Sequence, residues 1–337
     1  MPRSRRRVVL IVALCLGVLV AAVGTRGWVL GGRGGDRAPV AAVIGDASDP
    51  ATPASTASTA RPRVSVGPAQ SGVGASPSPR ASRTVGGARP VSSKKGAALN
   101  PFGAVRSALA DARVGWYYNW AADPQGIAAP PGVAFTPMIW GADSVNAATL
   151  DAVRQRGDTL LGFNEPDFAS QSNLSVDRAL ALWPQLMATG MRLGSPAPAT
   201  GGATDGSWFD QFMKGAQSKG YRVDFIALHW YGGDFTTANA VGQLKSYLQT
   251  VHDRWRKPIW LTEYALIDFS AGVRFPTPEQ QAAFVTASTA MLDSLSYVER
   301  YSWFLFSPPR DGGGSGTSLY TAAGTPTRLG TAYRAAG

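Results

Sequence analysis

Four glutamates stand in the 337-residue sequence, Glu165, Glu263, Glu279 and Glu299, and two of them are placed to do chemistry. Glu165 ends the apolar run Leu160-Leu161-Gly162-Phe163 and sits in Asn164-Glu165-Pro166-Asp167. Glu263 ends Ile259-Trp260-Leu261-Thr262 and is followed by Tyr264. Two carboxyls facing one cleft suit cleavage of a glycosidic bond. One must be protonated to donate to the leaving oxygen; the other must be ionised to attack or to activate water. Crowding and burial push the two pKa values apart and let both states coexist near neutral pH. The alternative for each is a strand-end acid in a salt bridge. Glu279, in Thr277-Pro278-Glu279-Gln280, suits the N-terminal end of a helix dipole, and Glu299, in Tyr297-Val298-Glu299-Arg300, reads as a solvated charge.

Aromatic residues gather at the ends of the same kind of apolar run. An aromatic face can stack on the apolar face of a sugar ring while its polar tip hydrogen-bonds. Trp116, Tyr118, Trp140, Trp230, Tyr231, Tyr264 and Trp303 are the candidates, with Trp120 and Phe306 nearby. About half of such residues point into a wall, and alternation does not say which half. Asn119, Asn164 and His229 are polar residues in or just after apolar runs, where a buried polar group needs a partner. His252, on an amphipathic stretch, reads as surface. One cysteine and two histidines exclude a disulfide framework, a multi-cysteine metal site and a His-rich zinc site. No metal and no cofactor is expected.

Barrel strands are the elements that must hold these groups. Continuous apolar runs at 113–120, 135–140, 159–164, 191–196, 223–230, 258–264 and 301–306 predict strands buried on both faces, with a weaker one at 318–322. Helical spacing predicts helices at 147–156, 176–189 (with Pro184 inside), 207–219, 238–256 and 278–297. At the last, Thr277, Pro278 and Gln280 give an N-cap, a first-turn proline and a capping-box partner. Strand–helix alternation over about 240 residues predicts an α/β fold: a single, compact (β/α)8 TIM-type barrel, with an open doubly wound sheet as the alternative. No Gly-rich phosphate loop follows an early strand. Both candidate glutamates then lie at strand C-termini, the barrel face where active sites are assembled. They are three strands apart and so face across the mouth.

Charge and composition divide the chain. Residues 1–96 carry 14 Lys+Arg and 3 Asp+Glu, whereas 97–337 carry 18 and 19. The overall charge of +10 therefore belongs to a tail. The folded part is not basic, which argues against a nucleic-acid partner. Arg3, Arg5, Arg6 and Arg7 precede an apolar run at 8–23, the pattern of an export signal or an uncleaved anchor. Ala21-Ala22-Val23-Gly24 offers small residues for cleavage. Residues 31–96 lack Phe, Trp, Tyr and Leu, and 45 of the 66 are Gly, Ala, Pro, Ser or Thr. Such a segment cannot bury enough apolar surface to order itself. The expected organisation is a signal peptide or N-terminal membrane anchor (1–30), a disordered linker (31–96) and a barrel (97–337). That layout predicts a protein secreted or tethered to the outer face of the membrane, its N-terminal segment engaging the membrane.

Six ordered blocks carry a resemblance. They are Val114-Gly115-Trp116-Tyr117-Tyr118-Asn119-Trp120, Phe135-Thr136-Pro137-Met138-Ile139-Trp140-Gly141, Leu161-Gly162-Phe163-Asn164-Glu165-Pro166-Asp167, Gly194-Ser195-Pro196-Ala197, Leu228-His229-Trp230-Tyr231 and Trp260-Leu261-Thr262-Glu263-Tyr264. Together they resemble glycoside hydrolase family 128, the alkali-sensitive-linkage-protein type, over roughly 113–310. The resemblance implies an endo-acting β-1,3-glucan hydrolase with a retaining mechanism, Glu165 as acid/base, Glu263 as nucleophile and Asn164 on the sugar 2-hydroxyl. It implies a polysaccharide substrate, and a monomer is expected. In the wider clan these motifs sit on strands four and seven. The strands counted above put them on three and six, so either 121–134 hides a strand or the barrel lacks an element there. The competing functions are a non-catalytic β-glucan-binding surface protein, and a β-glycan hydrolase or transglycosylase of different linkage preference.

Overall fold

The computed structural model describes residues 92–309 and 316–337. The export-signal and linker readings of 1–91 lie outside the described residues. Eight parallel strands are present: β1 (Ser92–Ala98), β2 (Val114–Tyr118), β3 (Ala134–Phe135), β4 (Thr159–Leu160), β5 (Arg192–Leu193), β6 (Ile226–Gly232), β7 (Ile259–Leu266) and β8 (Val298–Trp303). Six of them form one sheet in the order β3-β2-β1-β8-β7-β6, and β4 pairs with β5. Single bridges Met138–Leu161 and Gly194–Phe225 join the two sheets at both seams and close the barrel. Seven α-helices accompany the strands among the described residues: α1 (Val105–Ala112), α2 (Ala147–Arg154), α3 (Val176–Met187), α4 (Trp208–Ser218), α5 (Thr237–Trp255), α6 (Pro278–Ser294) and α7 (Arg328–Ala335).

The strand missing from the sequence count is β1, not a strand within 121–134. The boundary drawn at residue 97 cuts through it, and residues 92–96 belong to the barrel. Lys95, Gly96 and Ala97 pair with Tyr301, Ser302 and Trp303 of β8, while Gly96, Ala97 and Ala98 pair with Trp116, Tyr117 and Tyr118 of β2. With β1 counted, Glu165 follows strand four and Glu263 lies on strand seven. The weak candidate at 318–322 is not a barrel strand; Tyr320 makes one antiparallel bridge to Pro326.

Two apolar layers share the strands. The outer one, between strands and helices, includes Tyr264, Phe284, Trp303 and Tyr333. The inner one fills the barrel with Ala98, Trp116, Tyr118, Trp120, Met138, Leu161, Phe225, Trp260 and Leu305. At its base the Trp260 ring lies 4.4 Å from Phe225 and 5.2 Å from Trp116, and the Arg300 guanidinium sits 4.3 Å above Trp260. Glu299 is therefore not simply solvated: it pairs with Arg192 at 2.7 Å and accepts the Trp260 indole N–H at 3.0 Å. Lys95 is fully buried, and its ammonium donates to the carbonyls of Tyr333 (3.0 Å) and Ala336, ending α7 against β1. A cation on the last carbonyls of a helix also meets the negative end of its dipole. The capping box at α6 forms as expected, Thr277 and Gln280 each accepting from the other's backbone N–H.

Candidate active site

β7 presents Glu263 to the barrel mouth, 4 % exposed. Three donors converge on its carboxylate. Oε1 accepts from the Trp120 indole N–H at 2.7 Å and from the Tyr118 hydroxyl at 3.1 Å, and Oε2 accepts from the Tyr231 hydroxyl. Tyr118 ends β2. Two residues on, Trp120 adopts a left-handed φ of 57°, which turns its indole back over Tyr118 toward the carboxylate. On β6 a register shift between Leu228 and His229 sets His229 opposite Glu263. Tyr231, two residues later, faces the same way.

Glu165 follows β4 in another left-handed residue, φ 42°. Its N–H donates to the Ala197 carbonyl at 2.8 Å, and its own carbonyl accepts from the Phe168 N–H at 3.1 Å. A non-glycine residue held in this region stores strain that its surroundings must offset. The Glu165 carboxyl meets His229 Nδ1 at 2.9 Å, while His229 Nε2 lies 3.5 Å from Glu263 Oε1. The buried imidazole thus lies between the two carboxyls, hydrogen-bonded to Glu165 and only approaching Glu263, and one polar atom from each of the three groups lies within 4.8 Å of the others. A carboxyl separation of about 5 Å is the retaining geometry; an inverting pair stands farther apart to admit water.

Burial raises the Glu165 pKa, with the charges of Glu263 and Asp167 adding to it; the His229 hydrogen bond and charge pull the other way and do not win. Burial works against an imidazolium at His229, but the Glu263 charge and the Glu165 contact overcome it and raise that pKa too. Tyr118 and Tyr231 are held as neutral donors: burial, reinforced by the Glu263 charge, puts both hydroxyls well above their ordinary range. Glu165 is therefore biased toward its acid form, while three donors converge on Glu263.

These residues could be read as a metal-ligand trio. Most of their donor atoms are already engaged. Every Glu263 oxygen already accepts from a hydroxyl or an indole N–H, none of which is a metal ligand here, and His229 Nδ1 is engaged by Glu165.

Among the sequence candidates, Glu165, Glu263, Tyr118, His229 and Tyr231 come together. Asn164 is next to them, 2 % exposed; its amide N–H donates to Gln171 Oε1 at 3.4 Å and its Oδ1 is without a partner among the described residues. Trp140 lies in the irregular stretch after β3, partly buried, with its indole N–H likewise without a partner among the described residues. The other candidates lie elsewhere. Trp116 is fully buried in the barrel floor, its indole N–H on the Lys94 carbonyl. Trp230 points outward and stacks on Phe284 of α6 at 5.8 Å. Tyr264 and Trp303 are fully buried in that same outer layer, 5.1 Å apart. Asn119 braces the loop after β2, accepting from the Ala121 N–H and donating to the Asp123 carbonyl. Trp120, noted only as a nearby strand-end aromatic, reaches Glu263 directly. Nothing in the sequence foretells the left-handed turn that takes it there.

The fold and site can now be set beside known proteins. The family model described as "Glycosyl hydrolase catalytic core" matches residues 96–333. A family 128, subgroup I endo-β-1,3-glucanase from Amycolatopsis mediterranei, solved as a glutamate-to-alanine variant with laminaripentaose, is 57 % identical and superposes with a TM-score of 0.70, over 73 % of this chain and all of that one. A subgroup II endo-β-1,3-glucanase from Sorangium cellulosum is 29 % identical, with a TM-score of 0.60 over 72 % of this chain and 98 % of its own. Alkali-sensitive linkage protein 1 of Schizosaccharomyces pombe is 30 % identical over 229 residues, 65 % of this chain; the match spans 40 % of that longer protein.

Proposed function

The chain belongs to the glycosyl hydrolase catalytic core family, and on that premise we propose that it is an endo-acting β-1,3-glucan hydrolase working by retaining double displacement. The observation that carries this is the pair of carboxyls on either side of His229, one raised toward its acid form and the other held by three donors. The 57 % identity to an endo-β-1,3-glucanase solved with laminaripentaose supports the linkage.

In the first step a Glu263 oxygen forms a bond to the anomeric carbon as the bond from that carbon to the departing glucan oxygen breaks. Glu165 gives its proton to that oxygen. In the second step Glu165, now ionised, takes a proton from water; the water oxygen bonds to the anomeric carbon and Glu263 leaves as a carboxylate. Two inversions give retention. His229 holds the Glu165 carboxyl in place through both changes of charge. Tyr118, Trp120 and Tyr231 keep Glu263 oriented and return to it when it leaves. Asn164 offers its unpaired amide oxygen and second N–H toward the sugar 2-hydroxyl.

Product analysis tests the proposal. The full chain is incubated with laminarin, curdlan, mixed-linkage glucan and cellulose. Oligosaccharides from the β-1,3-glucans, first seen by NMR as the β-anomer, are expected. No product from a folded protein favours a glucan-binding role, and products from cellulose instead favour a different linkage preference.

The arginine-led apolar start and the Gly/Ala/Pro/Ser/Thr-rich stretch behind it support action outside the membrane, with the N-terminal segment engaging the bilayer in export or as an anchor. Fractionation, N-terminal sequencing of the mature protein and light scattering distinguish secretion, tethering and oligomerisation.

A further inference from the structure

Asp167 lies outside the chemistry just described, yet its carboxylate accepts three hydrogen bonds. One carboxylate oxygen accepts the Ala199 N–H at 2.8 Å; the other accepts the Thr200 N–H at 2.9 Å and the Thr200 hydroxyl at 3.0 Å. Bonds to an ionised acceptor are about twice as strong as neutral ones. They tie the loop after β4 to the loop after β5.

The same two loops are joined at Glu165 itself. Its N–H rests on the Ala197 carbonyl, and Asn164 bridges Ala197. The β5 loop is also fixed from its far side. Gly202 is buried against Tyr247 of α5 so closely that an added Cβ would fall 2.1 Å from the hydroxyl. The segment 197–202 is thus pinned between α5 and the Asp167 carboxylate, and Glu165 hangs from it in a left-handed conformation that the chain would not choose unaided.

We propose that Asp167 is a positioning residue for the acid/base: by clamping Ala199 and Thr200 it holds the Glu165 backbone in its strained turn and so aims the carboxyl at the departing glycosidic oxygen. The inference rests on the assignment of Glu165 as acid/base.

The leaving group reads this role directly. A departing sugar needs a proton, whereas a 2,4-dinitrophenolate does not, and kcat/KM reports steps up to the first displacement. Asp167→Asn keeps the size but replaces one of the two acceptor oxygens with an NH2 donor that faces a backbone N–H, and it removes the charge from the other bonds. It is expected to lower kcat/KM on laminarioligosaccharides by about 10- to 100-fold, within the range of general acid catalysis. On a 2,4-dinitrophenyl β-laminarioside it should lower kcat/KM by no more than about two-fold. Thr200→Val, which loses one bond of the three, should show the same pattern more weakly and guards against a folding defect in the first variant. Equal losses on both substrates, or none on either, overturn the proposal. Glu165→Ala is run alongside. If that variant hydrolyses laminarioligosaccharides normally, the acid/base assignment has failed; if it shows the split and Asp167→Asn does not, only the positioning role has.

Discussion

Replacing His229 by phenylalanine should move the basic limb of the pH–rate profile upward. In the folded protein burial raises the Glu165 pKa, and the His229 hydrogen bond and charge partly restrain the rise. The contact is short, 2.9 Å, with the imidazole fully enclosed. A hydrogen bond to a charged group contributes about 1.5–3 kcal/mol, so the contact is a large part of what restrains Glu165. Removing it therefore lifts the Glu165 pKa further above the ordinary carboxylate range. The sign follows from which form is stabilised: His229 favours the carboxylate, so its loss favours the acid. The essential acid of the free enzyme sets the basic limb of kcat/KM. That limb should shift to higher pH while its height falls, because the carboxyl is no longer oriented. The assay is kcat/KM on laminarihexaose across the pH range, with a melting curve to establish folding. A limb that stays in place or moves to lower pH refutes the reasoning, since it would mean that the limb is not set by a Glu165 restrained by His229.

Three further outcomes follow from the same geometry. Glu263→Ala should abolish hydrolysis and, given azide, form the α-glycosyl azide, whereas Glu165→Ala should form the β-azide; NMR of the adducts decides, and one configuration from both variants would contradict the roles. Trp120→Phe removes a 2.7 Å donor from Glu263 while keeping the ring; kcat should fall about 10-fold or more, with KM little changed, as steady-state kinetics on laminarin will show. A chain begun at residue 97 loses most of β1 and the Lys95 contacts to α7, and should show no cooperative melting transition, while one begun at residue 90 melts cooperatively.

The two mouth glutamates were legible because a glutamate ending an apolar run has few structural explanations. β1 was not legible. Ser92-Ser93-Lys94-Lys95-Gly96-Ala97-Ala98 has no β-branched or aromatic residue, and packing explains why: an added Cβ at Gly96 would fall 2.1 Å from the Trp116 ring. The strand is small because its neighbour's side chain occupies its face. The aromatics divided for a different reason. In a parallel strand covered on both sides the inner and outer residues are equally apolar, so Trp230 and Tyr231 look alike in sequence. The register shift before His229 decides which of them meets Glu263. Likewise Trp116 and Trp120 differ by one left-handed residue, the first lying in the floor and the second against the carboxylate.

The meeting of β1 with α7 has a consequence for how the chain can be cut and rejoined. Gly337 lies so near Ser92 that a Cβ added to it would stand 3.0 Å from the serine Cβ. The barrel is therefore a closed ring of strand–helix units whose opening happens to fall at the β1 edge. A short glycine tether across that gap, with new ends opened in the exposed turn at 155–158, should give a circular permutant that melts and hydrolyses like the parent. Such a rearranged chain would begin at β4 and carry the Glu165 turn near its start.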